Sequence, residues 1–138
     1  MIKVVIPLRP TTKKNNPQVY CISGCRGWHR GCGRPQPKKI VIPSAEFIKY
    51  QKEAEKYFWE YGNICFDDPV HVKVCYWMPD RRSKPDLSGI LQGVGDLLQH
   101  VKLIANDSLI ESWDGSRFMG VDKVNFRTEI FLELFKEG

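Results

Sequence analysis

Val70 to Met78 alternates without a break. Val70, Val72, Val74, Tyr76 and Met78 share one side; His71, Lys73, Cys75 and Trp77 share the other. Such alternation specifies a β-strand with one buried face. A basic link holding Pro79 and Pro85 follows. Then Leu87, Ile90, Leu91, Val94, Leu97, Leu98 and Val101 recur at helical spacing, which predicts a helix over about 87–101. A strand that must cover one face, joined by a short link to a helix with one apolar stripe, commits the chain to packing helix on sheet.

The other segments fit that frame. Ile2 to Leu8 reads as a strand, stopped by Pro7 and Pro10. Gln18 to Ile22 and Lys39 to Ile42 are short strands of a long-tipped hairpin, whose tip spans about residues 20–38 and shows no periodicity. Ser44 is a good N-cap for a helix that Gly62 ends. Phe47, Tyr50, Ala54, Tyr57, Phe58 and Tyr61 form its buried stripe. Lys123 to Phe135 predicts a long final strand, with Val124, Phe126, Thr128, Ile130, Leu132 and Leu134 on one face. Phe131 and Phe135 break the polar face, so part of that face should be covered. The order implies one α+β domain over residues 1–138, a small mixed or antiparallel sheet with two helices. No apolar run approaches membrane-spanning length, and MIKVVIPLRP lacks a signal-peptide core; a cytoplasmic protein with no membrane partner is expected.

Charge narrows the partner. Residues 1–39 hold nine Lys/Arg and no Asp or Glu, and the balance turns acidic from Ile104 onward. A cationic arm meeting nucleic acid fits this asymmetry; a solvated basic surface is the plainer alternative. Asp86 stands at the front of the second helix, Asp107 about six residues past its end, and Arg81, Arg82 and Lys84 just before it. Carboxylates that can hold a divalent metal, beside cations that can hold phosphate, are the parts of a metal-dependent phosphodiesterase. A helix cap at Asp86 and a turn residue at Asp107 are the competing readings. Gly89 and Gly93 cost the helix about 1 kcal/mol each, so something approaches closely there, a partner helix or a phosphate backbone. That edge is a candidate dimer surface.

Five cysteines exclude a complete disulfide framework, and Cys65 and Cys75 read as buried thiols. Cys21, Cys25, His29 and Cys32 lie within twelve residues of the hairpin tip, a Cys3His set that suits structural Zn²⁺. Reduced, unliganded cysteines are the alternative. Trp28 among Arg26, Arg30 and Arg34 suits stacking on an unpaired base.

The run MPDRRSKPDLSGILQGVGDLLQ, followed by ANDSLI, resembles the signature of the RusA family of Holliday junction resolvases. That signature has a strand ending in Met-Pro-Asp, an Arg/Lys run, an Asp-Leu-Asp-Asn or Asp-Leu-Ser-Asn opening a helix, and an Asp-Asp pair about twenty residues on. PTTKKNNPQ and IPSAEFIKY resemble its N-terminal segments, and DGSR and RTEI resemble motifs of a phage and prophage branch, so the likeness runs from Pro10 to Ile130. It implies a RusA-like fold and a homodimeric, Mg²⁺-dependent endonuclease cutting four-way DNA junctions in recombination and repair. Asp86 and Asp107 match its catalytic, metal-ligating carboxylates. Arg81, Arg82 and Lys84, with Arg117, Lys13 and Lys14, would contact DNA. The chain departs from the pattern at Ser88 for the second Asp, Gly89 for Asn, Gln92 for the helix Lys, and Asn106 for the first of the acidic pair. Asp96 or Asp114 is then expected to supply supporting charge. Two other readings stay open: a non-catalytic branched-DNA-binding protein of the same fold, and a small zinc-dependent adaptor built on the Cys-rich tip.

Overall fold

A computed structural model describes residues 1–12, 18–21, 39–42, 45–82 and 84–137, with the backbone alone for 18–21 and 39–42. The elements are β1 (Ile2–Ile6), β2 (Gln18–Cys21), β3 (Lys39–Ile42), α1 (Ala45–Ala54), β4 (Val70–Met78), α2 (Leu87–His100), β5 (Ile110–Ser112), β6 (Arg117–Val121) and β7 (Arg127–Leu134). β2 and β3 pair antiparallel as a separate ribbon. The other five strands form one mixed sheet, so the class is α+β.

β4 organises that sheet. On one side it pairs antiparallel with β7 from Val70↔Leu134 to Trp77↔Arg127, and β1 continues outward from β7, also antiparallel. On its other side β5 pairs with Val70 and His71, and β6 with Cys75 to Met78, both parallel. The reason is the crossover. The chain leaves the C-terminal end of β4, traverses α2 and re-enters beside the N-terminal end of β4, so the next strands run with it. Between β5 and β6 the Ser116 hydroxyl accepts from Val74 N at 2.9 Å, replacing a ladder bond.

Alternation decides burial. Val70, Val72, Val74, Tyr76 and Met78 are all fully buried, with Val4, Ile6, Ile130 and Leu132 beside them. Phe47, Tyr50 and Ala54 of α1 and Ile90, Val94, Leu97 and Leu98 of α2 complete the core. Each Val, Leu, Ile, Phe or Met among them contributes roughly 1.5–3 kcal/mol when buried. On the other sheet face, Phe131 lies between the ammonium groups of Lys3 and Lys73, 5.4 and 4.5 Å from its ring centre. Arg127 stacks on Trp77 at 3.7 Å and donates to Glu129 at 2.7 Å. The cover expected over Phe131 therefore comes from the chain's own lysines.

Four expectations change; one is Cys65, expected buried and found exposed. The first helix does not run unbroken to Gly62: it is α-helical to Ala54 and a 3-10 helix from Glu55 to Tyr61, which leaves Trp59 exposed. The last strand starts at Arg127 rather than Lys123. Asp122 accepts from Val124 N and Asn125 N, a turn that bends the chain and leaves Val124 87% exposed. The segment after α2 forms two short strands where no periodicity marked them. Ser44 lies outside the described residues. Among the described residues no helix is long and apolar enough to cross a membrane.

Candidate functional site

The site is built at the two ends of α2. At its start Asp86 is the N-cap: its carboxylate accepts from Gly89 N at 3.2 Å and from Ser88 Oγ at 2.9 Å. The buried Tyr76 hydroxyl donates to Pro85 O at 3.2 Å, tying the helix start to the central strand. Burial, and then the Asp86 charge, push the Tyr76 phenol above its ordinary pKa. Tyr76 packs on Phe118 with ring centres 5.3 Å apart, and Lys84 and Arg81 lie over Phe118 at 4.7 and 6.0 Å. One aromatic column thus carries the cap and two of the cations.

The preceding loop is pinned as well. Asp80 accepts from Arg82 N at 2.9 Å, and Arg9 donates to Arg82 O at 3.1 Å. Arg81, Arg82 and Lys84 remain exposed.

The two helix glycines have a local cause. A Cβ on Gly89 would stand 2.5 Å from Asp86 Oδ1 and 3.3 Å from Thr12 Cγ2. One on Gly93 would meet Phe47 Cε1 at 3.2 Å and Thr11 O at 3.6 Å. The approaching groups belong to this chain, and both glycines are buried by them. The close approach at Gly89 and Gly93 is thus made from within the chain, not by a partner helix or a phosphate backbone, which corrects the sequence expectation.

At its end α2 closes in a Schellman turn: Leu103 N donates to Leu98 O and Lys102 N to Gln99 O, with Lys102 at φ 62°. The return then bonds Phe66 on both sides, through Leu103 O and Ala105 N. It next runs back beside the helix. Asp107 N donates to Gln99 Oε1 at 3.0 Å. Asp107 Cβ, Ile110 Cδ1 and Trp113 Cζ2 converge on Gly95, each 3.7–3.9 Å from where its Cβ would stand.

Between α2 and this return lies a cleft of about 670 Å³, lined by Ser88, Leu91, Gln92, Gly95, Asp96, Asp107, Ile110 and Trp113. The carboxylates it brings together are Asp96 and Asp107. Asp86 stands nine residues before Gly95, roughly 13 Å along the helix axis, and reaches the cleft through its bond to Ser88. Asp114 is elsewhere, in a hollow of about 270 Å³ with His71, Ser112 and Glu133. Arg117 is exposed in register with Cys75, on the sheet face opposite Tyr76 and the helices, which separates it from Arg81 and Lys84. Lys13, Lys14, Cys25, His29 and Cys32 lie outside the described residues, and Cys21 is described only as the last backbone position of β2.

Among the described residues no group of three or more His, Cys, Asp or Glu is placed to hold one metal ion. Mg²⁺ asks for less: it takes one or two carboxylates, keeps several waters and shares phosphate oxygens. Asp96 and Asp107, with the Gln92 carboxamide one helical turn from Asp96, fit that demand.

Trp113, Ile110 and Arg9 did not stand out in the sequence, and Leu91 read as core. β5 is only three residues long, too short for an alternation that would have exposed the first two. No family model and no curated protein matches this chain.

Proposed function

We propose that this protein is a Mg²⁺-dependent endodeoxyribonuclease that cuts branched DNA, with the four-way junction of recombination and repair as its substrate. The observation that carries the reading is the pairing of Asp96 and Asp107 in one cleft along α2, the helix that begins at the Arg81–Lys84 cations. The resemblance to the RusA signature supports it.

Each group then has a task. Arg81, Arg82 and Lys84 neutralise backbone phosphates flanking the cut. Asp96 and Asp107 would hold Mg²⁺, which when bound polarises a phosphate and lowers the pKa of an attacking water. Asp86 fixes the start of α2 and holds Ser88 at the cleft. A junction is cut on two opposed strands, so a homodimer supplies the two sites.

The test is cleavage of a synthetic four-way junction with and without Mg²⁺, for the wild type and Asp107→Asn. We expect cutting by the wild type and a loss of about a hundredfold or more in the variant. Junction binding in Ca²⁺ should persist. Undiminished cutting by Asp107→Asn refutes the assignment. The neutral Ser88 and Gln92 in the cleft favour a second reading, a non-catalytic branched-DNA-binding protein. Tight binding without any cutting would select it, and loss of fold on chelation would select the zinc adaptor.

A further inference from the structure

We infer that the cleft along α2 takes an unpaired nucleobase, stacked on Trp113, and prefers bases that carry an exocyclic amine. The inference deepens the nuclease reading and rests on it for the nature of the ligand.

Metal and phosphate leave half of this cleft unexplained. Neither has an apolar face, yet Leu91, Ile110 and Trp113 line the space beside Asp96 and Asp107. The volume, about 670 Å³, lies within the roughly 300–1,000 Å³ range of clefts that take organic ligands. Its lining on α2 runs from Ser88 to Asp96, roughly 12 Å along the axis, room for a nucleotide beside a hydrated cation.

The indole is held in place. Ser116 N donates to Trp113 O at 3.0 Å, closing a turn in which Gly115 adopts φ +87°. Asp114 N donates to Ser112 Oγ at 3.2 Å, and the indole edge rests at Gly95. The ring stays half-buried, so part of it faces the cleft. A rigid aromatic surface of this kind stacks on any base.

The polar lining supplies the discrimination. Asp96 and Asp107, ionised, only accept hydrogen bonds and keep acceptor sites beyond the one each would give a cation, and Gln92 offers one acceptor and two donors. Among the described residues the Gln92 carboxamide has no side-chain hydrogen-bond partner. Acceptors of this number suit the amino groups of cytosine, adenine or guanine. Thymine, with carbonyl oxygens in those places, fits poorly.

The experiment uses the full-length protein and a branched DNA with one unpaired base at the branch point, in Ca²⁺ to prevent cutting. The unpaired base is 2-aminopurine, whose fluorescence falls on stacking, or cytosine or thymine in parallel anisotropy titrations. The wild type and Trp113→Phe should quench 2-aminopurine, and Trp113→Leu should not. Trp113→Leu should also weaken binding of the cytosine substrate about tenfold, the scale of one lost stack. The wild type should favour cytosine over thymine about tenfold. Thermal unfolding of both variants reports whether they fold; if Trp113→Leu does not, loss of quenching in folded Gly95→Leu, which fills the floor of the cleft, replaces it. Equal quenching by wild type and Trp113→Leu overturns this inference and leaves the nuclease reading standing. Absence of DNA binding by the wild type overturns both, and cutting in Mg²⁺ without base quenching overturns only this one.

Discussion

Gly89→Ala separates the two roles of Asp86, capping a helix and holding Ser88 at the cleft. The added methyl would stand 2.5 Å from Asp86 Oδ1, closer than any real Cβ contact, and 3.3 Å from Thr12 Cγ2. The carboxylate is the softer neighbour, so it rotates away. Rotation breaks the bonds from Gly89 N and Ser88 Oγ. A lost N-cap costs about 1 kcal/mol. Alanine in place of a helical glycine returns about 1 kcal/mol. The two effects nearly cancel, so urea unfolding should place the variant within about 1 kcal/mol of the wild type. Junction cutting should nevertheless fall about tenfold or more, because Asp86 and Ser88 have left their places. In an Asp86→Ala background only the 3.3 Å approach to Thr12 Cγ2 remains, and the same Gly89→Ala change should stabilise, by up to about 1 kcal/mol. A loss of more than about 3 kcal/mol in the single variant would mean that the backbone gives way instead of the side chain. Unaltered cutting would mean that the Asp86 geometry does not serve the reaction. Either result refutes the argument.

Gly93→Val should overpack Phe47 and Thr11, costing about 1–3 kcal/mol while light scattering finds the oligomeric state unaltered; a changed oligomeric state at unaltered stability would refute the intrachain account of that glycine. Asp122 should shape the acid limb of stability. The backbone N–H groups of Asn125 and then Val124 hold its carboxyl below the ordinary 3.8. A lowered folded-state pKa stabilises above the unfolded value and loses that stabilisation as pH falls from 3.8 through the lowered one. Asp122→Ala should therefore narrow the difference in urea midpoint between pH 7 and pH 2–3, and an identical difference would refute the turn's role.

Short-range periodicity made β4 and α2 legible. β4 spans the residues its alternation predicted, and α2 ends one residue earlier than expected, because side-chain period reports burial directly. Asp86 before an apolar run could be read as a cap or as a metal ligand, and the structure shows it capping α2. The place of Asp107 was not legible. It depends on Lys102 in a left-handed conformation, on the bonds to Phe66 and on Gln99, none of which has a period. The glycines announced a close approach but not whose, since Thr11, Thr12 and Phe47 come from more than forty positions away. The last strand was overlong because Val124 and Phe126 keep the alternation while the Asp122 turn breaks the backbone.

By itself, then, the sequence determined a strand buried on one face, a helix to cover it, a basic link between them and an aspartate at the helix start. Those follow from contacts within a few residues. Tertiary structure alone decided that β5 and β6 run parallel to β4, and that Asp96, Asp107 and Trp113 line one cleft. These depend on where a crossover returns the chain, which is settled by packing against the whole sheet.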